Sequence, residues 1–180
     1  GSTEIIVSDE SWKWSKSEVV FNDVWIGYTE DRTQQQVGWQ KSKFNNQQWL
    51  NAKSKDAPTG KLQVFTGNGI QILDTIAPLK ISNDTVFFKN QIAGWPQIKV
   101  NGVKGQTITI TGLAEGIKLP ILTFMLSESG ETFLRPNFLI FAAANQLKIT
   151  GLKTPLKLAD VSILQVAQKL DPVSNFECSN

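Results

Sequence analysis

Thr107-Ile108-Thr109-Ile110-Thr111 decides the fold. Successive side chains of an extended strand point to opposite faces, so both isoleucines fall on one side of this run and the three threonines on the other. Asn101-Gly102 lies just upstream as a turn signal, and Gly105 follows it. The run Gln97–Val100 before that turn therefore reads as a strand adjacent and antiparallel to Thr107–Thr111.

Further out, short apolar segments broken by Gly, Pro and Asn recur along the chain. Strands are expected at Glu4–Val7, Glu18–Phe21, Val24–Tyr28, Leu62–Phe65, Ile70–Leu73, Thr85–Lys89, Ile121–Leu126, Asn137–Phe141, Gln146–Thr150 and Val161–Gln168. Helical signals are confined to a short turn at Phe44–Ala52 and the helix-tolerant alanines of Ala142–Asn145. Neither is long enough to form a helical layer. The expected fold class is all-β: two antiparallel β-sandwich units, jelly-roll-like, the first of them incomplete, with under a tenth of the residues helical. Polar composition at Lys53–Lys61 and again at Asp74–Pro78 puts the boundary between about Thr66 and Leu79. That gives residues 1–68 as a first unit holding five of the six tryptophans, 69–175 as a second, and 176–180 as the start of a link.

Composition excludes much chemistry. The 180 residues contain no His and one Cys, which rules out a His-assisted Ser or Cys triad, a His/Cys zinc site, a Cys-x-x-Cys pair and an intrachain disulfide. Cys178 has no neighbouring His or Lys to activate it and reads as a buried or spare thiol. A net charge of +2 carried by scattered lysines gives nucleic-acid binding little electrostatic support. No stretch approaches the roughly 20 apolar residues that span a bilayer, and Gly1–Ser11 lacks the basic start and apolar block of a secretory signal. Acid–base work would fall to carboxylates, and glycoside hydrolysis is the reaction that needs only two of them.

The abundant residues suit carbohydrate: six Trp give flat apolar faces beside the neutral amides of 12 Asn and 14 Gln. They concentrate in Asn22–Asp31, Gly38-Trp39 and Phe44–Trp49. Trp25, Tyr28, Glu30, Asp31 and Trp39 are the candidate sugar-binding residues, with calcium held through oxygen ligands as a candidate ion. A turn network around packed tryptophans is the alternative for the same cluster.

Three stretches, in order, resemble the region preceding the catalytic barrel of bacterial α-L-rhamnosidases of glycoside hydrolase family 78. Gly1–Lys13, ending Asp9-Glu10-Ser11-Trp12-Lys13, is similar to a strand and turn of the family's N-terminal β-sandwich, and continues through Asn22-Asp23-Val24-Trp25, Gly27, Asp31, Gly38-Trp39 and Trp49. Phe87–Trp95 resembles the opening of the next sandwich, followed by Val100–Gly105; Phe176-Glu177-Cys178-Ser179-Asn180 resembles the lead into the catalytic domain. The chain departs from the family pattern at Tyr28, Glu30 and Thr33, at Phe87-Phe88-Lys89, and at Ala142–Asn145, where a polar segment is replaced by alanines.

The resemblance implies a divergent, non-catalytic accessory region of a glycoside hydrolase. Its ends fall midway through the first sandwich and at the entry to the barrel, so it reads as a piece whose catalytic carboxylates lie elsewhere. The implied partners are its own catalytic domain in a longer parent chain and a rhamnose-containing plant or bacterial polysaccharide, with no nucleic acid and no membrane. A secreted, periplasmic or cell-surface location follows rather than a cytoplasmic one. A free-standing lectin-like sandwich, or a purely structural interaction module, is the alternative.

Overall fold

The structure is a computed structural model that describes residues 1–57, 59–67, 69–114, 117–137 and 141–168. The strands are β1 Lys13–Trp14, β2 Val19–Asp23, β3 Gly27–Asp31, β4 Leu50–Asn51, β5 Ile70–Ile76, β6 Lys80–Ser82, β7 Thr85–Gly102, β8 Thr107–Ala114, β9 Ile117–Met125, β10 Gly130–Leu134, β11 Phe141–Thr150 and β12 Val161–Gln168. Helical geometry among the described residues is limited to two single 3-10 turns, Arg32–Gln34 and Leu158–Asp160. The all-β expectation holds.

β1 and β4 form a small two-stranded ribbon. The other strands join one sheet in the order β2-β3-β9-β8-β11-β7-β12-β5, with β6 and β10 also pairing along β7. The 18-residue β7 links its parts: Thr85–Phe87 pairs with β6 and β11, whereas Gly94–Gly102 pairs with β12 and β10. The sheet curls around a single cluster of buried side chains drawn from β3, β7, β8, β9, β10, β11 and β12.

Alternation builds that core. Ile108 and Ile110 are fully buried, while Thr107, Thr109 and Thr111 face outward or lie at the margin. Leu122 and Phe124 do the same on β9, Leu147 and Ile149 on β11, and Ile98 and Val100 on β7. Burying side chains of this size contributes roughly 1.5–3 kcal/mol each, so this face dominates stability.

Several local expectations are corrected. β7 and β8 are not neighbours: β11 lies between them, and the Gly102 end of β7 pairs instead with Gly130 of β10. The chain reverses beyond Asn101-Gly102, where Gly105 has φ +78°. Ala142–Asn145 runs within β11 as extended backbone, and Phe44–Ala52 forms turns leading into β4, not a helix. Glu4–Val7 and Leu62–Phe65 are not strands; Ile5 and Leu62 are 81% and 98% exposed, with no facing sheet to bury them. The sheet is antiparallel except at one joint, where β3 runs parallel to β9. Part of Asn137–Phe141, and the stretch Phe176–Asn180 with Cys178, lie outside the described residues.

Candidate functional site

The β2–β3 hairpin positions the first group of candidate residues. Asp23 Oδ1 accepts hydrogen bonds from the backbone N–H groups of Trp25 (2.8 Å) and Ile26 (2.9 Å), closing a side-chain-capped turn. The strand therefore begins at Gly27, three residues later than the apolar run suggests, and Trp25 is left on the hairpin tip, 84% exposed.

Starting the strand at Gly27 fixes the faces of the next four residues. Tyr28 and Glu30 point into the core and are buried, whereas Thr29 and Asp31 point the other way. The Tyr28 ring packs on Phe124 at 5.8 Å between centroids, and its hydroxyl donates to Glu30 Oε2 at 2.6 Å. Glu30 Oε1 accepts from Arg32 Nε at 2.6 Å, and Arg32 Nη1 donates to Thr132 Oγ1 at 2.9 Å. Burial, reinforced by the hydrogen bond to Glu30 and its negative charge, pushes the Tyr28 hydroxyl well above the usual tyrosine range. This chain of bonds ties β3 to β10.

Asp31 serves a local turn. Its Oδ1 caps Arg32–Gln34 by accepting from Thr33 N (3.0 Å) and Thr33 Oγ1 (2.6 Å), and Oδ2 accepts from Gln34 Nε2 (2.8 Å). The Thr33 hydroxyl and the Gln34 amide hold its carboxyl below the usual aspartate range. Glu30 and Asp31 thus face opposite sides of one strand and do not converge on a common ion. Among the described residues no group of three His, Cys, Asp or Glu side chains is gathered as a metal site.

Trp39 belongs to a different place, a cleft of about 260 Å³ lined by Trp14, Ser15, Lys16, Ser17, Glu18, Gln36, Trp39 and Trp49. The β1–β4 pairing sets Trp14 opposite Leu50, beside the turn that carries Trp49. Gln36 holds the cleft together: its Oε1 accepts from Trp49 Nε1 at 2.6 Å, and its Nε2 donates to Ser15 Oγ at 2.6 Å and to the Lys16 carbonyl at 3.2 Å. Phe44 packs against Trp49 from the other side, 5.6 Å between ring centroids. Trp14 and Trp39 remain about half exposed, at 49% and 55%.

Indole faces beside hydroxyls form a surface for a neutral polyol. The lining contains one carboxylate, Glu18, whereas glycoside hydrolysis needs two carboxyl groups about 5–9.5 Å apart. The lining does not supply that pair. Sequence reasoning found Trp39 but missed Trp14, Glu18 and Gln36, and it left Trp49 outside the candidate sugar-binding residues. The available signal was the Trp12-Lys13-Trp14 alternation, which puts two indoles on one side of an extended segment.

Comparison with known proteins agrees with this architecture. Residues 1–74 match the family model described as the α-L-rhamnosidase N-terminal domain. An α-L-rhamnosidase of Formosa agariphila is 23% identical over 202 aligned residues, which cover all of this chain and 21% of that protein. The α-L-rhamnosidase structure from Dictyoglumus thermophilum superposes with a TM-score of 0.86 at 26% identity, over 97% of this chain and 22% of that one. The native enzyme from Aspergillus terreus gives 0.83 at 25% identity, again over 97% and 22%. The chain spans about a fifth of the length of these relatives and matches their N-terminal, non-catalytic portion. Residues 1–74 thus carry the α-L-rhamnosidase N-terminal domain signature, and the chain shares its fold with a part of these solved α-L-rhamnosidases.

Proposed function

We propose that this chain supports the catalytic domain of an α-L-rhamnosidase-like glycoside hydrolase and rests a sugar in the Trp14–Trp39–Trp49 cleft. The observation that carries the reading is the cleft itself, in which Gln36 holds Trp49 and Ser15 while the faces of Trp14 and Trp39 stay open. In this reading Trp25 is a second, outlying platform on the hairpin tip. Tyr28, Glu30 and Asp31 act indirectly, by fixing the hairpin and the turn after it. The partner is a catalytic domain in a longer parent chain, the substrate a rhamnose-containing polysaccharide, and the setting is outside the cytoplasm. Residues 1–68 and 69–175 are read as its two sequence segments, the first joined to the second through the β3–β9 pairing.

The test is fluorescence titration of the 180-residue chain with L-rhamnose and with rhamnose-containing oligosaccharides, with and without calcium. A saturable change that Trp39→Ala abolishes with little loss of melting temperature is the expected result. No binding at millimolar sugar would favour the purely structural module.

A further inference from the structure

A second cleft, of about 340 Å³, lies where β10 meets β7 and is lined by Arg32, Gln97, Phe133, Arg135 and Asn137. Its lining among the described residues is two arginines, two amide residues and one aromatic, with no carboxylate residue among them. The strands explain the convergence. Leu134 is buried opposite Ile98, so alternation turns Phe133 and Arg135 to the outer face, where Arg135 comes level with Gln97. Phe133 is 55% exposed there. Arg32 arrives from the turn after β3, fixed through Nε by Glu30 and through Nη1 by Thr132.

The charges in this cleft are not spent on neighbours to the same degree. Arg32 is part-neutralised from behind by the buried Glu30. Arg135 has no ion-pair partner among the described residues, and the nearby Glu131 is engaged by Lys99 at 2.7 Å. Asn137, two residues beyond Arg135, completes the lining. The volume falls in the range of small-molecule sites, about 300–1,000 Å³.

We propose that this cleft is a subsite for a carboxylated sugar, a hexuronic acid residue of an acidic polysaccharide. A guanidinium fork matches a carboxylate in plane and in spacing. The Phe133 ring offers a flat apolar face to the C–H side of a pyranose, and the Gln97 and Asn137 amides supply donors and acceptors for its hydroxyls. Bare phosphate or an acidic side chain would use the arginines but not that combination. The site is separate from the tryptophan cleft and shares none of its lining residues.

Isothermal titration of the 180-residue chain at low salt tests the proposal, with D-glucuronic and D-galacturonic acid, their neutral parents glucose and galactose, acetate, and a glutamate-rich peptide as probes. The uronic acids bind, more weakly as salt is added, and the neutral sugars and acetate bind at least about tenfold less tightly. Arg135→Ala, an exposed position whose loss leaves the core intact, weakens uronate binding about tenfold to a hundredfold with an unchanged melting temperature; Phe133→Ala also weakens it. Equal binding of the neutral sugars, indifference to Arg135→Ala, or no binding at all overturns the proposal. So does a glutamate-rich peptide that binds at least as tightly as the uronates and ignores Phe133→Ala, which would mark the cleft as a protein-docking surface. L-rhamnose titration of the same protein reads the tryptophan cleft independently.

Discussion

Tyr28 is the chain's single tyrosine, so its ionisation can be followed without interference from another phenol. Its folded-state pKa is raised, chiefly by burial and then by Glu30. A raised value favours the protonated form in the fold, so the corresponding stability is complete below the unfolded-state value of about 10 and is lost as pH climbs above it. Ultraviolet difference titration should therefore show no tyrosinate near pH 10 in the folded chain, with the signal appearing later or together with unfolding. Tyr28→Phe should flatten the alkaline loss of stability. Removing the other end of the pair is harsher: Glu30→Ala leaves Arg32 and the Tyr28 hydroxyl without their shared acceptor and should cost about 3 kcal/mol in a denaturant titration. Glu30→Gln, which keeps the volume and an acceptor, should cost less. Composition brought these residues to notice, but their role depended on where the strand begins. A strand over Val24–Tyr28 would have put Trp25 within it, and only the Asp23 turn, a matter of two backbone hydrogen bonds, moves the start to Gly27.

At the scale of the element, β8 gives the sharpest contrast between inner and outer face. Ile110→Ala should destabilise by about 2–5 kcal/mol, because the fully buried side chain leaves a cavity. Thr111→Ala, on the opposite face, should change stability by about 0.5 kcal/mol or less. Thermal or denaturant melts of the two variants check both values. Gly27→Ala is expected to cost about 2 kcal/mol or more, since φ is +151° there and an added methyl would strike the Ile121 carbonyl of β9. β8 and β12 were legible in the sequence because alternation is a local signal, and β12 has the predicted limits Val161–Gln168. The insertion of β11 between β7 and β8 was not, since a turn dipeptide carries no record of which distant strand fills the neighbouring place. The Ile5-Ile6-Val7 and Leu62–Phe65 runs show the same limit from the other side. Their apolar patterns are those of strands, yet pairing, not pattern, makes a strand. The tryptophan cleft was half legible: its indoles stood out, but Gln36, which joins them, is one amide among many until the turns bring it to Trp49.

For the molecule as a whole, the most exposed connection lies between β4 and β5, where residues 52–57, 59–67 and 69 carry no strand. Trypsin should cut early at Lys53, Lys55 or Lys61, all exposed. The two pieces should nevertheless run together on a sizing column under native conditions and separate in denaturant. β3 is held to β9 by five register pairs from Gly27–Ile121 to Asp31–Met125, and Arg32 reaches Thr132. Prompt separation of the nicked pieces would show that this joint is weaker than its pairing implies. The same joint imposes an order in time. The residues that complete it are synthesised about 90 positions after β3, which at roughly 5–20 residues per second is a wait of about 5–20 s on the ribosome. Throughout that interval Tyr28 has no Phe124 to pack against and Glu30 has no sheet to bury it. β3 therefore stays unpaired on that side until β9 has emerged, and a cell producing this chain must shelter the Tyr28–Glu30 segment over that interval.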